Sequence, residues 1–543
     1  MPIATPGKET RATSGPSSDN TNKIPASSLN FEWAQKQNDA FITNRANKIA
    51  RNAVTSMDVM PAARDITTMR SYHDTYGITI PKTGDVTNQR QSGRCWMFAA
   101  FNVVRQTIMK KLDVDSFEFS QAYGMFFDKL EKSNASLSYI IDTRDKSLDS
   151  RTVSYLIDSV AEDGGYFFFA MNLVHKWGVV PKSAMPETAC SRNSSQMDTQ
   201  LARLLRKDIY RLRKLSDEGA SLEELVAAKD EMMSDVYTLL CICLGNPPQH
   251  FDLVLEVGKD CDCDKTYLHE IVPSEDKHDE AEKAEYADAP ATDTPAADAN
   301  VAKTPEASVD NKDKKDDKDD EPKHMLVHKH LTPLEFTRLY VPFDPRDYVQ
   351  LVSLPSSKFE VNRVYHVLLT DSVLGELNCR FFNVSQDVLE KAAIASLKDG
   401  NPVSMACDVG QQFPRHNEDF NYILALDTID TNSLFGINFD MDRASMIDTH
   451  ETCLTHAMVF QGVQLDEKGE PKAWRIENSW GKDAGKDGYL IMSADWYRLY
   501  GGEVDVKRSY LSPELLKIWD EGEDIEVMPW ENMGRTLNPY RNA

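Results

Sequence analysis

Apolar residues in the first third of the chain recur at the spacing of one helical face. After Cys95 they follow one another at three- and four-residue steps, which predicts a helix with a single buried stripe. The stripe consists of Met97, Phe101, Val104, Ile108 and Leu112. Lys110 and Lys111 close the segment, where basic side chains stabilise the negative end of the helix dipole.

The same periodicity predicts further helices, and it changes to alternation near the C-terminus. Helical patterns recur at 118–134, 149–161 and 164–177. A charged segment at 196–244 is helical in composition, and Ser221 within it is suited to cap a helix. Residues 454–460 and 473–481 are predicted to be buried strands because apolar residues surround or alternate with their polar ones.

Polar stretches mark the predicted ends of folded regions. Residues 1–30 are rich in Ser, Thr, Pro and Asn, which predicts a disordered lead-in before a helical arm at 31–65. Residues 274–326 form an acidic, low-complexity insert that cannot bury enough apolar surface to order itself. A surface loop can carry such an insert because the cost of closing a loop grows only logarithmically with length.

Composition excludes several function classes. The net charge of −25 argues against nucleic-acid binding, because phosphate contacts require clustered Lys and Arg. No apolar stretch approaches the ~18–20 residues that span a bilayer, and no signal-peptide pattern opens the chain. We therefore expect a soluble cytoplasmic protein with no membrane partner. Nine cysteines in no regular frame suit a reducing compartment, so disulfides are not expected.

Two small clusters of metal-ligating residue types flank the insert. They are Cys261 with Cys263 and His269, and His324 with His328 and His330. Neither cluster has the paired cysteine spacing of a structural zinc site. The sequence therefore predicts no metal and no cofactor.

Four residues form a candidate catalytic set. Cys95 follows a glycine turn and begins the predicted helix, whose positive end is expected to lower the pKa of the thiol. His456 in one predicted strand supplies a base, and Asn478 at the end of the other supplies a carbonyl that can orient the imidazole. Gln89, six residues before Cys95, supplies an amide. A buried cysteine or a core histidine alone is common and predicts no catalysis. The prediction of a catalytic site therefore rests on the four residues occurring together.

The sequence motifs around these four residues resemble those of papain-like cysteine proteases. Among these proteases, the chain most resembles the bleomycin hydrolase and aminopeptidase C subfamily. The run Ser92-Gly93-Arg94-Cys95-Trp96 and the triplet Asn478-Ser479-Trp480 carry the broader likeness. The subfamily likeness rests on six further runs: Phe119-Ser120-Gln121-Ala122-Tyr123, Phe127-Asp128-Lys129-Leu130-Glu131, Asp163-Gly164-Gly165, Lys176-Trp177-Gly178-Val179-Val180-Pro181-Lys182, Cys407-Asp408-Val409-Gly410 and Thr455-His456-Ala457-Met458. The similarity extends from about residue 65 to about residue 537 and is interrupted by the insert.

The resemblance implies an α+β, papain-like fold with a helical left half and a β-barrel-like right half. Inserted helical segments, here at about 196–250, would build the contacts of a homohexamer. The left half is expected at 66–273, the right half at 327–527, and a C-terminal tail in or near the active-site cleft at 528–543.

The resemblance also implies the chemistry. Cys95, His456 and Asn478 would form the catalytic set, the Gln89 amide and the Cys95 N–H would hold the oxyanion, and Gly164 and Gly165 would line the cleft. The expected enzyme is an aminopeptidase that acts on peptides with a free N-terminus and also on small amides such as bleomycin. The alternatives are an inactive scaffold that recruits partners through the insert and an endopeptidase of the cathepsin type.

The subfamily resemblance also implies that the C-terminal tail is longer here than is usual in the subfamily. Family tails end three residues after a motif that matches Trp530-Glu531-Asn532-Met533-Gly534, whereas here nine residues follow it. Leu537 is therefore expected near the usual terminus. Residues 538–543 are expected to be trimmed, to fold aside or to block the cleft, with trimming or folding aside favoured.

Overall fold

The computed structural model describes residues 29–271 and 323–537. The predicted lead-in at 1–30 and the insert at 274–326 lie almost wholly outside these residues. The contacts between Cα atoms divide the chain into two units. One unit joins the described residues up to Ala63 with Thr431–Phe439, and the other comprises Arg64–Asp430 and Asp440–Ala543 as far as the structure describes them.

Helices occupy most of the first half of the described chain. In chain order they are α1 Phe31–Thr43, α2 Arg45–Met57, α3 Val59–Ala62, α4 Ile66–Met69, α5 Cys95–Leu112, α6 Gln121–Asp142, α7 Arg151–Asp158, α8 Phe167–Trp177, α9 Ala189–Arg192, α10 Ser195–Asp217, α11 Leu222–Leu244, α12 Pro333–Tyr340, α13 Gln386–Lys398, α14 Thr431–Phe435, α15 Arg443–Thr449, α16 Ala494–Tyr500, α17 Pro513–Glu521 and α18 Asn532–Thr536.

Strands occupy mainly the second half. In chain order they are β1 Ile78–Thr79, β2 Phe251–Val257, β3 Leu268–Ile271, β4 Lys323–Leu331, β5 Tyr348–Val352, β6 Arg363–Val367, β7 Arg380–Asn383, β8 Val403–Cys407, β9 Ile423–Leu424, β10 His456–Leu465, β11 Pro471–Glu477, β12 Tyr489–Ser493, β13 Gly501–Lys507 and β14 Ile525–Val527.

The helix predicted after Cys95 is α5, and its apolar stripe is buried as expected. Met97, Val104, Ile108 and Leu112 are fully buried and pack in one core with α6 and α8. The helix ends at Asp113, whose left-handed φ of +50° stops it. The predicted charged segment forms α10 and α11, and Ser221 caps α11 in a reciprocal capping box with Glu224.

Most of the strands join one mixed sheet of eleven. Its order is β14-β6-β7-β5-β13-β8-β10-β11-β12-β9, with β1 paired to β10. The strands β2, β4 and β3 form a separate three-stranded sheet. Within the large sheet β8, β10 and β11 are antiparallel neighbours, and they place His456 opposite Cys407 and Val459 opposite Glu477.

Both predicted strands are present, but their ends differ from the predicted ones. The alternation predicted strands at 454–460 and 473–481, whereas β10 begins at His456 and β11 ends at Glu477. Leu454 precedes the ladder because its N–H donates to the Thr536 carbonyl instead of to a strand partner. Among the described residues, no helix is both long and apolar enough to cross a bilayer.

Candidate active site

Cys95 is the first residue of α5 and lies in a cleft of about 720 Å³. Its side chain is partly exposed there. The cleft is bounded by the loop before α5, by the segment before α8, and by residues of β8 and β10. Of the six predicted site residues, five line this cleft: Gln89, Cys95, Gly164, Gly165 and His456.

The Gln89 amide is fixed by hydrogen bonds at both of its ends. Its Oε1 accepts from the Ser479 hydroxyl at 2.6 Å, and its Nε2 donates to the Ser92 carbonyl at 2.7 Å. The Gln89 backbone N–H also donates to the Ser479 carbonyl at 2.8 Å. An amide nitrogen carries two hydrogens, so one N–H remains for an oxyanion in the cleft. Ser479 is thus a positioning residue that the sequence reasoning did not single out.

Asn478 lies behind His456 and fixes the tautomer of its imidazole. Its Oδ1 is 2.9 Å from His456 Nε2 and also accepts from the Ser479 N–H at 2.8 Å. Because that oxygen can only accept, Nε2 must carry the hydrogen, and Nδ1 of the neutral ring is left as the acceptor. The Trp480 ring covers this pair, with its centroid 4.9 Å from that of the imidazole.

Burial shifts the pKa of both Cys95 and His456. It raises the pKa of the Cys95 thiol, while the backbone N–H groups of Ala457, Trp96 and Cys95 lower it by a smaller amount. Burial also lowers the pKa of His456 to about 4, against the hydrogen bond that the imidazole donates to Asn478, which raises it. The prediction that the helix dipole would lower the pKa of Cys95 is therefore wrong. Desolvation of the charged thiolate outweighs the favourable N–H groups, and desolvation of the imidazolium acts in the same sense on His456, so burial favours the neutral form of each group.

Gly165 is required by packing against the residue that follows the cysteine. A Cβ at this position would lie 2.5 Å from Cε2 of Trp96. The neighbouring Gly164 is held through its carbonyl, which accepts from Lys132 Nζ at 2.5 Å. The two glycines therefore let the chain pass directly over the Trp96 ring while still lining the cleft.

A buried ionic cluster, comprising Asp163, Lys129 and Asp198, supports the loop before Cys95. Lys129 Nζ lies 2.7 Å from a carboxylate oxygen of each of the two aspartates. The other oxygen of Asp163 accepts from the Gly93 N–H at 2.8 Å. Sequence reasoning missed the cluster, although Asp163 lies in the quoted Asp-Gly-Gly run, because nothing in the pattern brings Lys129 to it.

The cysteines and histidines that flank the insert are not among the residues that line the cleft. The structure brings the sulfur atoms of Cys261 and Cys263 together, contrary to the expectation that no cysteines pair. The two residues belong to one short turn, with Cα atoms 5.4 Å apart. Within residues 29–271 and 323–537, no three His, Cys, Asp or Glu side chains are arranged to hold a metal ion.

Known proteins match this chain along most of its length. The family model described as the Peptidase C1-like family matches residues 28–294 and 311–534. Aminopeptidase C of Streptococcus thermophilus is 31% identical over 508 residues, which cover 93% of this chain and 98% of that protein. Aminopeptidase C of Listeria monocytogenes is 34% identical over 452 residues, which cover 83% and 86% of the two chains.

A solved structure agrees with these relatives in fold. The crystal structure of PepW from Lactobacillus rhamnosis superposes with a TM-score of 0.78 at 30% identity, covering 94% of this chain and 99% of that one. The predicted α+β, papain-like fold and the predicted subfamily are confirmed by these matches. The chain therefore belongs to the Peptidase C1-like family, as a papain-type cysteine peptidase of the aminopeptidase C type.

Proposed function

We propose that this enzyme removes N-terminal residues from peptides by acyl transfer to Cys95. His456 Nδ1 takes the thiol proton as the sulfur attacks the scissile carbonyl, and the same imidazolium then protonates the leaving amine. The Gln89 Nε2–H and the Cys95 backbone N–H stabilise the oxyanion. Water activated by His456 then releases the acyl group. Small amides such as bleomycin would follow the same route.

The observation that carries the proposal is the hydrogen bond of 2.9 Å between His456 and Asn478 at the wall of the cleft that contains Cys95. It leaves one imidazole nitrogen as an acceptor, which a base for a thiol requires. Because burial favours the neutral form of each group, we propose that proton transfer accompanies the attack.

The restriction to a free N-terminus is proposed to come from the C-terminal segment. Leu537 lines the cleft and is fully buried, and the carbonyl of the preceding Thr536 accepts from the Leu454 N–H at 2.8 Å. A chain segment anchored at this point can close one end of the cleft to longer substrates. Residues 538–543 lie outside the described residues. Mass spectrometry of the purified protein tests the expectation about them: a species that ends near Leu537 supports trimming, and an intact, inactive one supports a blocked cleft.

The test of the proposed function compares leucine amidomethylcoumarin with its N-acetylated form. We expect hydrolysis of the free amine alone, and no hydrolysis by Cys95→Ala at unchanged melting temperature. Equal rates on the two substrates would contradict the aminopeptidase restriction, and activity in Cys95→Ala would contradict the nucleophile. The cytoplasmic location and the homohexamer belong to this proposal and are checked by fractionation and by light scattering.

A further inference from the structure

A second cavity, of about 440 Å³, adjoins the catalytic cleft. Three residues line both spaces, and they are Arg90, Arg415 and Trp480. The second cavity is therefore continuous with the cleft at the side of the Trp480 ring. Neither arginine has a role in the acyl-transfer steps proposed above.

The position of Trp480 shows which part of a substrate would enter this cavity. This step rests on the proposed function, in which His456 delivers a proton to the leaving amine. The leaving part of the peptide must then pass next to the imidazole. The Trp480 ring lies against the imidazole with a centroid distance of 4.9 Å and a tilt of 30°, and the Arg415 guanidinium lies 4.1 Å from the centre of the Trp480 ring. The second cavity thus lies on the leaving-group side of the scissile bond.

The charges along this cavity favour an anion. Arg90 and Arg415 carry positive charge there, and Asp483 is the acidic residue among the lining side chains that the structure describes. Both arginine side chains are exposed. Within residues 29–271 and 323–537, neither guanidinium forms an ion pair or hydrogen bond with a carboxylate. Two unpaired guanidiniums beside one apolar ring are suited to bind a carboxylate.

The backbone holds Arg90 in an unusual conformation that presents its side chain at this point. Its φ of +56° is left-handed, which costs free energy in a residue with a Cβ. Neighbours on both sides anchor the turn: the Gln89 N–H donates to the Ser479 carbonyl and the Gln91 N–H to the Arg192 carbonyl. Strain of this kind persists where surrounding contacts impose it, and it concentrates at functional sites.

We propose that Arg90 and Arg415 bind a substrate carboxylate within one or two residues after the scissile bond. The enzyme would then prefer di- and tripeptides, whose terminal carboxylate falls in this range, or longer peptides with an acidic residue there. The arginines are specificity-determining residues in this proposal, and the chemistry at Cys95 is unchanged by it.

The test measures kcat/KM for two matched pairs of substrates at low salt. The first pair is Leu-Ala and Leu-Ala-amide, and the second is Leu-Asp-Ala-amide and Leu-Asn-Ala-amide. We expect the carboxylate member of at least one pair to be preferred by roughly 10-fold, the scale of one good charge-assisted contact. Preference in the first pair alone assigns the site to a terminal carboxylate, and preference in the second alone assigns it to an acidic side chain. Equal rates within both pairs would overturn the proposal.

The double variant Arg90→Gln/Arg415→Gln is expected to bring the preferred ratio close to 1. Arg206→Gln is the matched control, because Arg206 lines the first cavity and not the second, and it should keep the wild-type ratio. A wild-type ratio that persists in the double variant would refute the assignment to these arginines.

Salt gives a readout that does not depend on a variant folding. The wild-type ratio should fall toward 1 as the salt concentration approaches about 1 M, where the screening length is roughly 3 Å. A ratio that does not change with salt would contradict binding by exposed charges. If none of the four peptides is hydrolysed, the proposed function fails and this inference fails with it. If all are hydrolysed at equal rates within each pair, only this inference fails.

Discussion

The helical wall of the cleft, which carries Cys95, is held by buried charges, whereas the sheet wall, which carries His456, is held by main-chain pairing. On the helical wall the fully buried Lys129 joins Asp163 and Asp198, and Asp163 in turn holds the loop before Cys95. On the sheet wall His456 begins β10 and pairs with Cys407 of β8.

One ion pair joins the two walls below the cleft. Arg105 of α5 contacts Glu477, the last residue of β11, at 2.5 Å, and both side chains are almost fully buried. Glu477 also accepts from Asn102 and Gln461, so its carboxylate is satisfied from both walls. Asn478 follows Glu477 directly, so this contact fixes the position of Asn478 relative to Cys95.

This difference between the walls predicts whether a substitution in each wall lowers activity or stability first. A ladder of backbone hydrogen bonds does not depend on any one side chain, so substitutions on the sheet wall should affect the chemistry before the fold. A buried charge depends on its partner, so substitutions on the helical wall should affect the fold first.

The largest effect is expected from Lys129→Met on the helical wall. This change leaves two carboxylates with little access to water and without their cation, which typically costs about 3 kcal/mol in the free energy of unfolding. Urea denaturation followed by circular dichroism measures this cost. Lys111→Met is the control, because its partner Asp262 is largely exposed at 3.4 Å and the expected loss is below about 1 kcal/mol. Equal losses in the two variants would show that the buried cluster stabilises the fold no more than an exposed ion pair does.

Asn478→Ala on the sheet wall is expected to reduce activity far more than stability. Without the Asn478 carbonyl, the imidazole loses its fixed tautomer, and kcat/KM should fall by roughly 100-fold. Steady-state hydrolysis of leucine amidomethylcoumarin measures the loss. Asn401→Ala, which removes a hydrogen bond to Tyr510 elsewhere in the same half, should keep the wild-type rate. Full activity in Asn478→Ala would remove Asn478 from the site.

Gly165→Ala tests the packing within the helical wall and should have a smaller effect. The new methyl group would meet the Trp96 ring at 2.5 Å, so the ring must move although its N–H is bonded to the Asp163 carbonyl. Overpacking of this kind costs about 1–3 kcal/mol, which thermal denaturation detects. At Gly410 a Cβ would meet no atom within 4 Å, so Gly410→Ala is the control and should melt close to the wild type. Matching melting temperatures would contradict the close approach.

The sequence predicted local features on both walls because their signals are local. The stripe after Cys95 has the helical period, and the residues around His456 and Asn478 have the pattern of buried strands, so the elements that carry the site were found. The predicted fold class is confirmed as well. Strand ends were less accurate, since the hydrogen bond from Leu454 to Thr536 joins residues that are 82 positions apart in the chain.

Features that depend on distant partners escaped sequence reasoning. Lys129, Asp163 and Asp198 each resemble an ordinary surface charge in the sequence, and only the fold buries them together. The pKa of Cys95 was predicted in the wrong direction for a related reason. The helix dipole can be inferred from the helix that begins at Cys95, whereas desolvation comes from segments hundreds of residues away.

The smallest expected effect is a shift in the acidic limb of the pH profile, and it tests the electrostatics of the sheet wall. In the proposed mechanism a neutral His456 accepts the thiol proton, and burial lowers the pKa of His456 to about 4. The kcat/KM value should therefore hold from neutral pH down to about pH 5 and fall as pH drops through about 4.

The positive charge of Arg415 also disfavours the imidazolium, so Arg415→Gln should raise the pKa of His456 and move the acidic limb to higher pH by less than about one unit. Arg206→Gln provides the control. A wild-type limb near the ordinary histidine value of about 6.5 would mean that water reaches the imidazole in solution. The sheet wall would then position His456 without desolvating it.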